Sequence, residues 1–302
     1  MTQKNRDFEG FVSGHNACAG CGAAIAMRHI LKVCGKNTIV TIATGCMEVV
    51  STAYPFTAWR VPCIHSAFEN TAATASGIEA ALKKQGKKIN VVAIAGDGGT
   101  FDIGLQALSG MLERGHRVLY ICYDNEAYMN TGIQRSSSTP LHAATTTTPY
   151  GLIASGKLEQ KKNMPFIVAS HNHNVYVATA SIGYLQDFKN KIKKALEHIN
   201  KSNGGPAYIQ VLCPCIPGWK IPSNMTIRLA KQAVNCRAYP LFEIEQGKIK
   251  LQEFPYEKLE NYLKAQGRFS HLTSQEIEDL KKFFEKQYEK LKKIADSGLE
   301  IF

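Results

Sequence analysis

Residues 89–115 read INVVAIAGDGGTFDIGLQALSGMLERG and predict a strand, a glycine-rich turn and a helix in succession. The apolar run at 89–95 does not alternate with polar residues, which is typical of a parallel strand covered on both faces. Residues 103–115 carry apolar side chains at helical spacing, and Gly115 is a helix stop signal. This order of elements indicates an α/β fold.

The same alternation extends to both sides of this unit. The other apolar runs of strand length are TIVTIA (38–43), RVLYICY (117–123) and AYIQVL (207–212), and TAATASGIEAALKK (71–84) has helical spacing. Alternating strands and helices predict a mostly parallel, doubly wound sheet with helices on both faces.

The pattern changes at about residue 223, where a Lys/Glu-rich stretch replaces the alternation. Residues 274–295, SQEIEDLKKFFEKQYEKLKKIA, predict an amphipathic helix that begins at Thr273 or Ser274. We therefore expect a main domain over residues 1–222. We also expect residues 223–302 to form a largely helical C-terminal extension that packs on the main domain or on a partner subunit.

The composition favours a folded cytoplasmic protein that binds metal. The 302 residues are 44% hydrophobic and include nine cysteines, an odd number that fits a disulfide framework poorly. No stretch resembles a secretory signal or a membrane span. The net charge of +11 comes from lysines scattered along helical segments, so we expect neither nucleic acid nor a membrane as a partner.

Polar residues and cysteines follow the predicted strands at their carboxyl ends. In chain order these groups are Thr44-Gly45-Cys46, Gly96-Asp97-Gly98, Asp124-Asn125 and Cys213-Pro214-Cys215. Ligands of open parallel sheets bind beyond the carboxyl ends of the strands. We therefore expect all four groups at one rim of the sheet.

Oxygen donors at this rim suit a magnesium ion on a diphosphate. Mg²⁺ prefers about six oxygen ligands, of which protein side chains usually supply one or two and phosphates and water the rest. Asp97 offers a carboxylate and Asn125 an amide oxygen, and the backbone carbonyl of Ala127 can complete the set. The sequence therefore predicts a magnesium–diphosphate site here.

The glycines of the turn support the same interpretation. Gly96, Gly98 and Gly99 remove side chains where a backbone must approach a diphosphate. A helix beginning near Phe101 or Asp102 would add an N-terminal dipole that favours an anion. The alternative is a strand–helix turn that needs glycine for its shape and binds nothing.

These segments resemble the 2-oxoacid:ferredoxin oxidoreductase family, and most of all its β subunits that act on pyruvate. GDGGTFDIG (96–104) followed by DNEAYMNTGIQRSSSTP (124–140) is similar to that family's thiamine diphosphate motif. HNACAGCGAA (15–24), ATGCMEVV (43–50), WRVPCIHSAFENTAATASGIEAA (59–81) and CPCIPGW (213–219) are similar to other segments of it. The resemblance runs from about residue 11 to residue 230 and implies a thiamine diphosphate-binding fold.

The resemblance also implies roles for individual residues. It places Mg²⁺ on Asp97, Asn125 and the carbonyl of Ala127, and it makes Asn130 the catalytic residue beside the reacting carbon of the cofactor. The further cofactor contacts that it implies are Gly45, Cys46, Gly96, Gly98, Gly99 and Thr131. His65 lies in a matched segment with Glu69 and Asn70, and we expect a structural role for it.

Four cysteines form a second candidate site. Cys18 and Cys21 make a CxxC pair, 24 residues separate Cys21 from Cys46, and Cys213 and Cys215 follow the last predicted strand. Spacing alone allows either zinc or a [4Fe–4S] cluster. The resemblance implies a cluster on Cys18, Cys21, Cys46 and Cys215. Cys213 remains the alternative fourth ligand.

The resemblance finally implies the reaction and the partners. A 2-oxoacid, pyruvate first and otherwise a branched-chain 2-oxoacid, 2-oxoglutarate or oxalate, would lose carbon dioxide. Coenzyme A would take the acyl group, and ferredoxin would receive the electrons. An α subunit would complete the thiamine site, and γ and δ subunits, the latter with ferredoxin-type clusters, would complete the complex. The rival functions are a non-oxidative thiamine enzyme and a non-catalytic, zinc-stabilised scaffold subunit.

Overall fold

One eight-stranded sheet organises the chain in the computed structural model, which describes residues 8–152, 155–171 and 173–301. Its strands are β1 (Thr38–Ala43), β2 (Cys63–Ser66), β3 (Asn90–Gly96), β4 (Leu119–Asp124), β5 (Tyr176–Ser181), β6 (Ala207–Leu212), β7 (Phe242–Glu245) and β8 (Lys248–Leu251). Their order across the sheet is β2-β1-β3-β4-β6-β5-β7-β8. The first six strands in that order run parallel, and β7 and β8 add an antiparallel edge.

Helices connect these strands. They are α1 (Gly22–Cys34), α2 (Cys46–Ser51), α3 (Thr71–Lys84), α4 (Leu105–Glu113), α5 (Met164–Ala169), α6 (Leu185–Asn200), α7 (Ile216–Trp219), α8 (Thr226–Asn235), α9 (Leu259–Lys264) and α10 (Ser274–Ser297). The predicted α/β alternation is confirmed, and the four predicted strands lie within two residues of their expected bounds. Within the described residues, no helix combines the length and the apolar character that crossing a membrane requires.

Strand β3 shows why the polar groups collect at the rim. Its side chains alternate, so that Val92 and Ile94 face the layer of α1 and α6, whereas Val91, Ala93 and Ala95 face the layer of α3, α4 and α5. Both faces of the strand are thus buried in apolar cores. Groups that must reach a ligand are left to the strand ends.

The C-terminal extension contains more than the helix that the sequence predicts. The helix α10 is present, but β7 and β8 also form a hairpin that pairs antiparallel to β5 and extends the sheet. Its turn residues Gln246 and Gly247 both have positive φ, as a two-residue hairpin turn requires. Four-residue strands with charged side chains give too short a pattern to detect in the sequence.

The start of α10 carries a capping box that makes a testable prediction. The Thr273 hydroxyl accepts a hydrogen bond from the Glu276 amide at 3.2 Å, and the Glu276 carboxylate accepts one from the Thr273 amide at 2.8 Å. We expect Thr273→Ala to lower the free energy of unfolding by about 1 kcal/mol, because the helix then loses a cap for its first turn. Urea denaturation measures the change. Thr273→Ser keeps the hydroxyl and serves as the control, and equal stability of the two variants would contradict the prediction.

Candidate cofactor and metal site

A cavity of about 90 Å³ lies at the carboxyl ends of β1, β3 and β4. Its lining includes every residue predicted to contact the cofactor, namely Gly45, Cys46, Gly96, Asp97, Gly98, Gly99, Asn125, Ala127, Asn130 and Thr131. Phe68, Tyr123, Tyr128 and Met129 add apolar walls. The fold therefore brings together residues that are up to 86 positions apart in the chain.

Asp97 is the buried carboxylate at the centre of this cavity. It directly follows β3, is 1% exposed and accepts a hydrogen bond of 2.5 Å from the Ser136 hydroxyl. Burial, reinforced by the negative charge of Asp124, raises the pKa of Asp97 well above its usual range. Within the described residues no Lys, Arg or His pairs with it. A bound cation is the partner that such a carboxylate fits.

Asn125 and Ala127 add two more oxygens at the same point. One terminal atom of the Asn125 amide lies 2.9 Å from the Ala127 carbonyl oxygen and 2.9 Å from Oδ1 of Asp97. With the amide nitrogen in that place, the NH₂ group donates a hydrogen bond to both oxygens. With the amide oxygen there, three acceptor oxygens converge, which is the chemistry of a site for a hard cation. The donor set therefore fits Mg²⁺.

A charge network beside the cavity is already neutral. Lys161 Nζ lies 2.7 Å from Oδ2 of Asp124 and 2.9 Å from Oε1 of Glu126, and Arg268 Nη2 lies 2.7 Å from Oε2 of Glu126. Despite burial, Lys161 and Arg268 hold the pKa of Glu126 below its usual value. Two cations thus balance two carboxylates, and none of this charge is left to neutralise Asp97.

Two glycines at the cavity are required by the geometry around them. A Cβ atom at Gly98 would lie 2.4 Å from Cε1 of Tyr128, and Gly45 has a φ of 158°, which favours glycine. The helical turn begins at Gly98, directly after Asp97, rather than near Phe101 or Asp102 as the sequence predicts. The difference arises because a wide turn over Gly98–Asp102 precedes α4, and it puts the glycine amides at the N-terminal end.

The four predicted cluster cysteines share one neighbourhood. Burial, together with the charges of Cys215, Cys21, Asp97 and Cys18, raises the pKa of Cys46 to about 12. Cys21 directly precedes α1, Cys46 begins α2 and Cys215 directly precedes α7. Helix N-termini favour thiolates, so this placement fits cysteines that bind metal. Within residues 8–152, 155–171 and 173–301, no three His, Cys, Asp or Glu side chains form a ready site for a single ion.

Cys213 and Cys215 have different surroundings. Cys213 is 1% exposed, belongs to the apolar core under α1 and has its pKa raised well above the usual value, chiefly by burial. Cys215 is partly exposed, and its pKa is raised to about 12 by burial and by Cys21 and Cys18. The charge of Cys21 affects both thiols, but only Cys215 is also affected by Cys18, and Cys215 is the more exposed of the two.

Other residues near the rim have structural partners, and some of them were missed by sequence reasoning. His65 Nδ1 lies 2.9 Å from Oε1 of Glu48 on α2, so its ring is held in place. Ser136 belongs to the segment 124–140 that resembles the family, but no pattern in the sequence indicates its hydrogen bond to Asp97. No sequence motif indicated a role for Lys161 or Arg268, because the ion-pair partner of each lies far away in the chain.

Comparisons with known proteins identify the family. Residues 43–211, more than half of the chain, match the thiamine pyrophosphate enzyme family, C-terminal TPP binding domain. Pyruvate synthase subunit PorB of Methanocaldococcus jannaschii is 56% identical, and the match covers 92% of this chain and 95% of that protein. Ketoisovalerate oxidoreductase subunit VorB of Pyrococcus furiosus is 48% identical, and the match covers 95% of this chain and 94% of that protein.

A solved structure supports the fold. It is 2-oxoglutarate:ferredoxin oxidoreductase from Magnetococcus marinus, which superimposes with a TM-score of 0.58 over 76% of this chain and 82% of that one, at 22% identity. At that identity the likeness shows the fold alone. Together with the PorB and VorB relatives and the rim cavity, it confirms the resemblance found in the sequence. The chain belongs to the 2-oxoacid:ferredoxin oxidoreductase family, as a subunit of the β type that carries the thiamine pyrophosphate-binding domain.

Proposed function

We propose that this chain is the β subunit of a pyruvate:ferredoxin oxidoreductase. The reaction converts pyruvate, coenzyme A and oxidised ferredoxin reversibly to acetyl-CoA, carbon dioxide and reduced ferredoxin. The observation that carries the proposal is the rim cavity, where the oxygen donors of Asp97, Asn125 and Ala127 stand beside Cys46 of the cysteine group. The relatives named pyruvate synthase favour pyruvate as the substrate. The VorB relatives make a branched-chain 2-oxoacid the second candidate.

Thiamine diphosphate and Mg²⁺ are the cofactors that this cavity would hold. When bound, the thiamine ring supplies a nucleophilic carbon that adds to the ketone and retains the electrons left by departing carbon dioxide. Asp97, Asn125 and the Ala127 carbonyl would hold the metal. The backbone of Gly98, at the start of the turn after Asp97, would approach the diphosphate, because glycine adds no side chain to this part of the cavity lining. Asn130 is exposed at the mouth of the cavity, where it can contact the substrate.

A [4Fe–4S] cluster on Cys18, Cys21, Cys46 and Cys215 would accept the electrons. The shared neighbourhood of these thiols and their positions at helix N-termini support this part of the proposal. Cys46 lines the cofactor cavity and also interacts with the other three cysteines. Cys46 would therefore belong to both sites, which suits a cluster that supplies an electron acceptor beside the cofactor, with clusters on other subunits and ferredoxin as the later acceptors.

The size of the cavity supports an active centre shared between subunits. Pockets that enclose a small-molecule ligand or cofactor measure about 300–1,000 Å³, and this one measures about 90 Å³. Asn130 and Thr131 at its edge are exposed. We propose that an α subunit covers them and supplies the glutamate that the aminopyrimidine ring needs. Subunits of the γ and δ type would complete the complex in the cytoplasm, with residues 1–222 as the main domain and 223–302 as the extension.

The isolated chain is therefore expected to show no pyruvate turnover. The assembled complex, assayed without oxygen with a dye as acceptor, should reduce the dye with pyruvate and coenzyme A. A panel containing a branched-chain 2-oxoacid, 2-oxoglutarate and oxalate tests the choice of substrate. Turnover by the purified chain alone would reject the shared active centre. A colourless chain that holds zinc instead of iron and sulfide would favour the scaffold alternative.

A further inference from the structure

The loop that presents the cation ligands is held in an unusual backbone conformation. Glu126, between Asn125 and Ala127, has a φ of 68°, in the left-handed region that residues other than glycine seldom adopt. The Asn125 amide and the Ala127 carbonyl oxygen on either side of it lie 2.9 Å apart. The conformation of Glu126 therefore decides whether these two ligands point to the same place.

Glu126 is fixed at both ends. Its amide donates a hydrogen bond to Oδ1 of Asp124 at 3.1 Å, and its carbonyl accepts one from the Thr139 hydroxyl at 2.7 Å. Its carboxylate lies 2.9 Å from Lys161 Nζ and 2.7 Å from Arg268 Nη2. Glu126 is 5% exposed, so water cannot readily replace these partners.

Arg268 reaches this loop from the C-terminal extension, 142 residues further along the chain. Its guanidinium lies over the ring of Trp219 at 3.8 Å, and Nε donates a hydrogen bond to Gln266 at 2.9 Å. It is 2% exposed. A planar guanidinium that is stacked and hydrogen-bonded in this way has one available orientation, which a lysine could not reproduce.

Trp219 holds the other side of the same loop. Its Nε1 donates a hydrogen bond of 2.9 Å to the carbonyl oxygen of Asn125. The stacked pair of Arg268 and Trp219 thus contacts two consecutive residues of the loop, one through a side chain and one through the backbone. Arg268 is not among the residues that line the cavity, and its described side-chain contacts are with Glu126, Gln266 and the rings of Trp219 and Phe269.

We propose that Arg268 is a positioning residue for the magnesium site. This inference rests on the proposed function and deepens it. By holding Glu126 in the left-handed conformation, Arg268 keeps the Asn125 side chain and the Ala127 carbonyl directed at Asp97. The C-terminal extension thereby takes part in cofactor binding without touching the cofactor.

The test is the affinity of the assembled complex for Mg²⁺ in the presence of thiamine diphosphate, measured by titration calorimetry. We expect Arg268→Met to weaken it by about tenfold or more, as is usual when a residue that orients a metal ligand is removed. Arg268→Lys keeps the positive charge but loses the planar guanidinium. It should weaken Mg²⁺ binding by less than Arg268→Met does. Saturating Mg²⁺ should restore most of the turnover in both variants, because Arg268 does not contact the reacting groups.

Arg237→Met is the matched control. Arg237 also belongs to the extension and lies over the rings of Tyr288 at 4.5 Å and Tyr256 at 5.3 Å, but it has no contact with the loop. A general loss of stability would lower Tm in both methionine variants, whereas Mg²⁺ affinity should fall only in Arg268→Met.

Unchanged Mg²⁺ affinity in Arg268→Met overturns the inference. If Arg268→Met does not assemble into the complex, unchanged Mg²⁺ affinity in Arg268→Lys overturns the inference instead. Failure of the wild-type complex to bind thiamine diphosphate with Mg²⁺ would instead reject the proposed function.

Discussion

Replacing Asp97 with asparagine is expected to abolish Mg²⁺-dependent binding of thiamine diphosphate by the assembled complex. Asp97 is the charged member of the proposed ligand set, and the network of Asp124, Glu126, Lys161 and Arg268 is already neutral without it. Loss of a residue that only orients a metal ligand commonly costs 10- to 100-fold in affinity, so we expect a loss of more than about 100-fold. Calorimetry with and without Mg²⁺ measures it.

The fold should survive this change and become more stable at neutral pH in the absence of metal. Burial raises the pKa of Asp97 in the folded state, whereas the unfolded chain ionises near the ordinary value of 3.8. Between these two values the folded state binds more protons, so the free energy of unfolding falls as the pH rises. The asparagine variant loses this dependence. Thermal unfolding across that pH range should therefore show a higher Tm for the asparagine variant than for the wild type at the higher pH values.

Glu113→Gln is the control for both measurements. Glu113 ends α4, the helix after the glycine turn, and it is exposed. The same loss of a carboxylate there should leave Mg²⁺ and cofactor affinity unchanged. If Asp97→Asn binds thiamine diphosphate as tightly as the wild type, the assignment of the metal site is wrong.

Replacing Cys215 with alanine is expected to remove the iron–sulfur cluster or leave it incomplete. Cys215 is electrostatically linked to Cys21 and Cys18, and it would be the ligand that closes the site opposite the CxxC pair. This chain, prepared without oxygen and without its partner subunits, should lose most of its broad visible absorption. Iron and acid-labile sulfide should fall below four of each per chain, the content of a complete cluster.

Cys213→Ala provides a matched comparison two residues away. Cys213 lies in the apolar core, where cysteine acts as a small hydrophobe, so its replacement should affect stability modestly and leave the iron content unchanged. The opposite result, with iron lost in Cys213→Ala and kept in Cys215→Ala, would make Cys213 the ligand. Zinc in place of iron in the wild-type chain would reject the electron-transfer role.

Much of the fold could be predicted because its signals are local. The apolar runs that became β1, β3, β4 and β6 are each short enough to recognise within a window of a few residues. The rule that parallel strands present their carboxyl ends at one edge then places Asp97, Asn125 and Cys46 together. The hairpin of β7 and β8 lacked such a local signal. Strands of four residues that mix charged and apolar side chains give no distinctive pattern, so the sequence did not predict it.

The features of the site also separate into those set by local sequence and those set by tertiary structure. Sequence alone determined which residues gather at the rim, because motif and strand end lie within a few positions of each other. Tertiary structure decided the surroundings of Cys213 and Cys215, the neutral network around Glu126, and the contact of Arg268 with a loop 142 residues away. Burial and charge balance depend on atoms that are close in space and remote in the chain, and no local pattern records them.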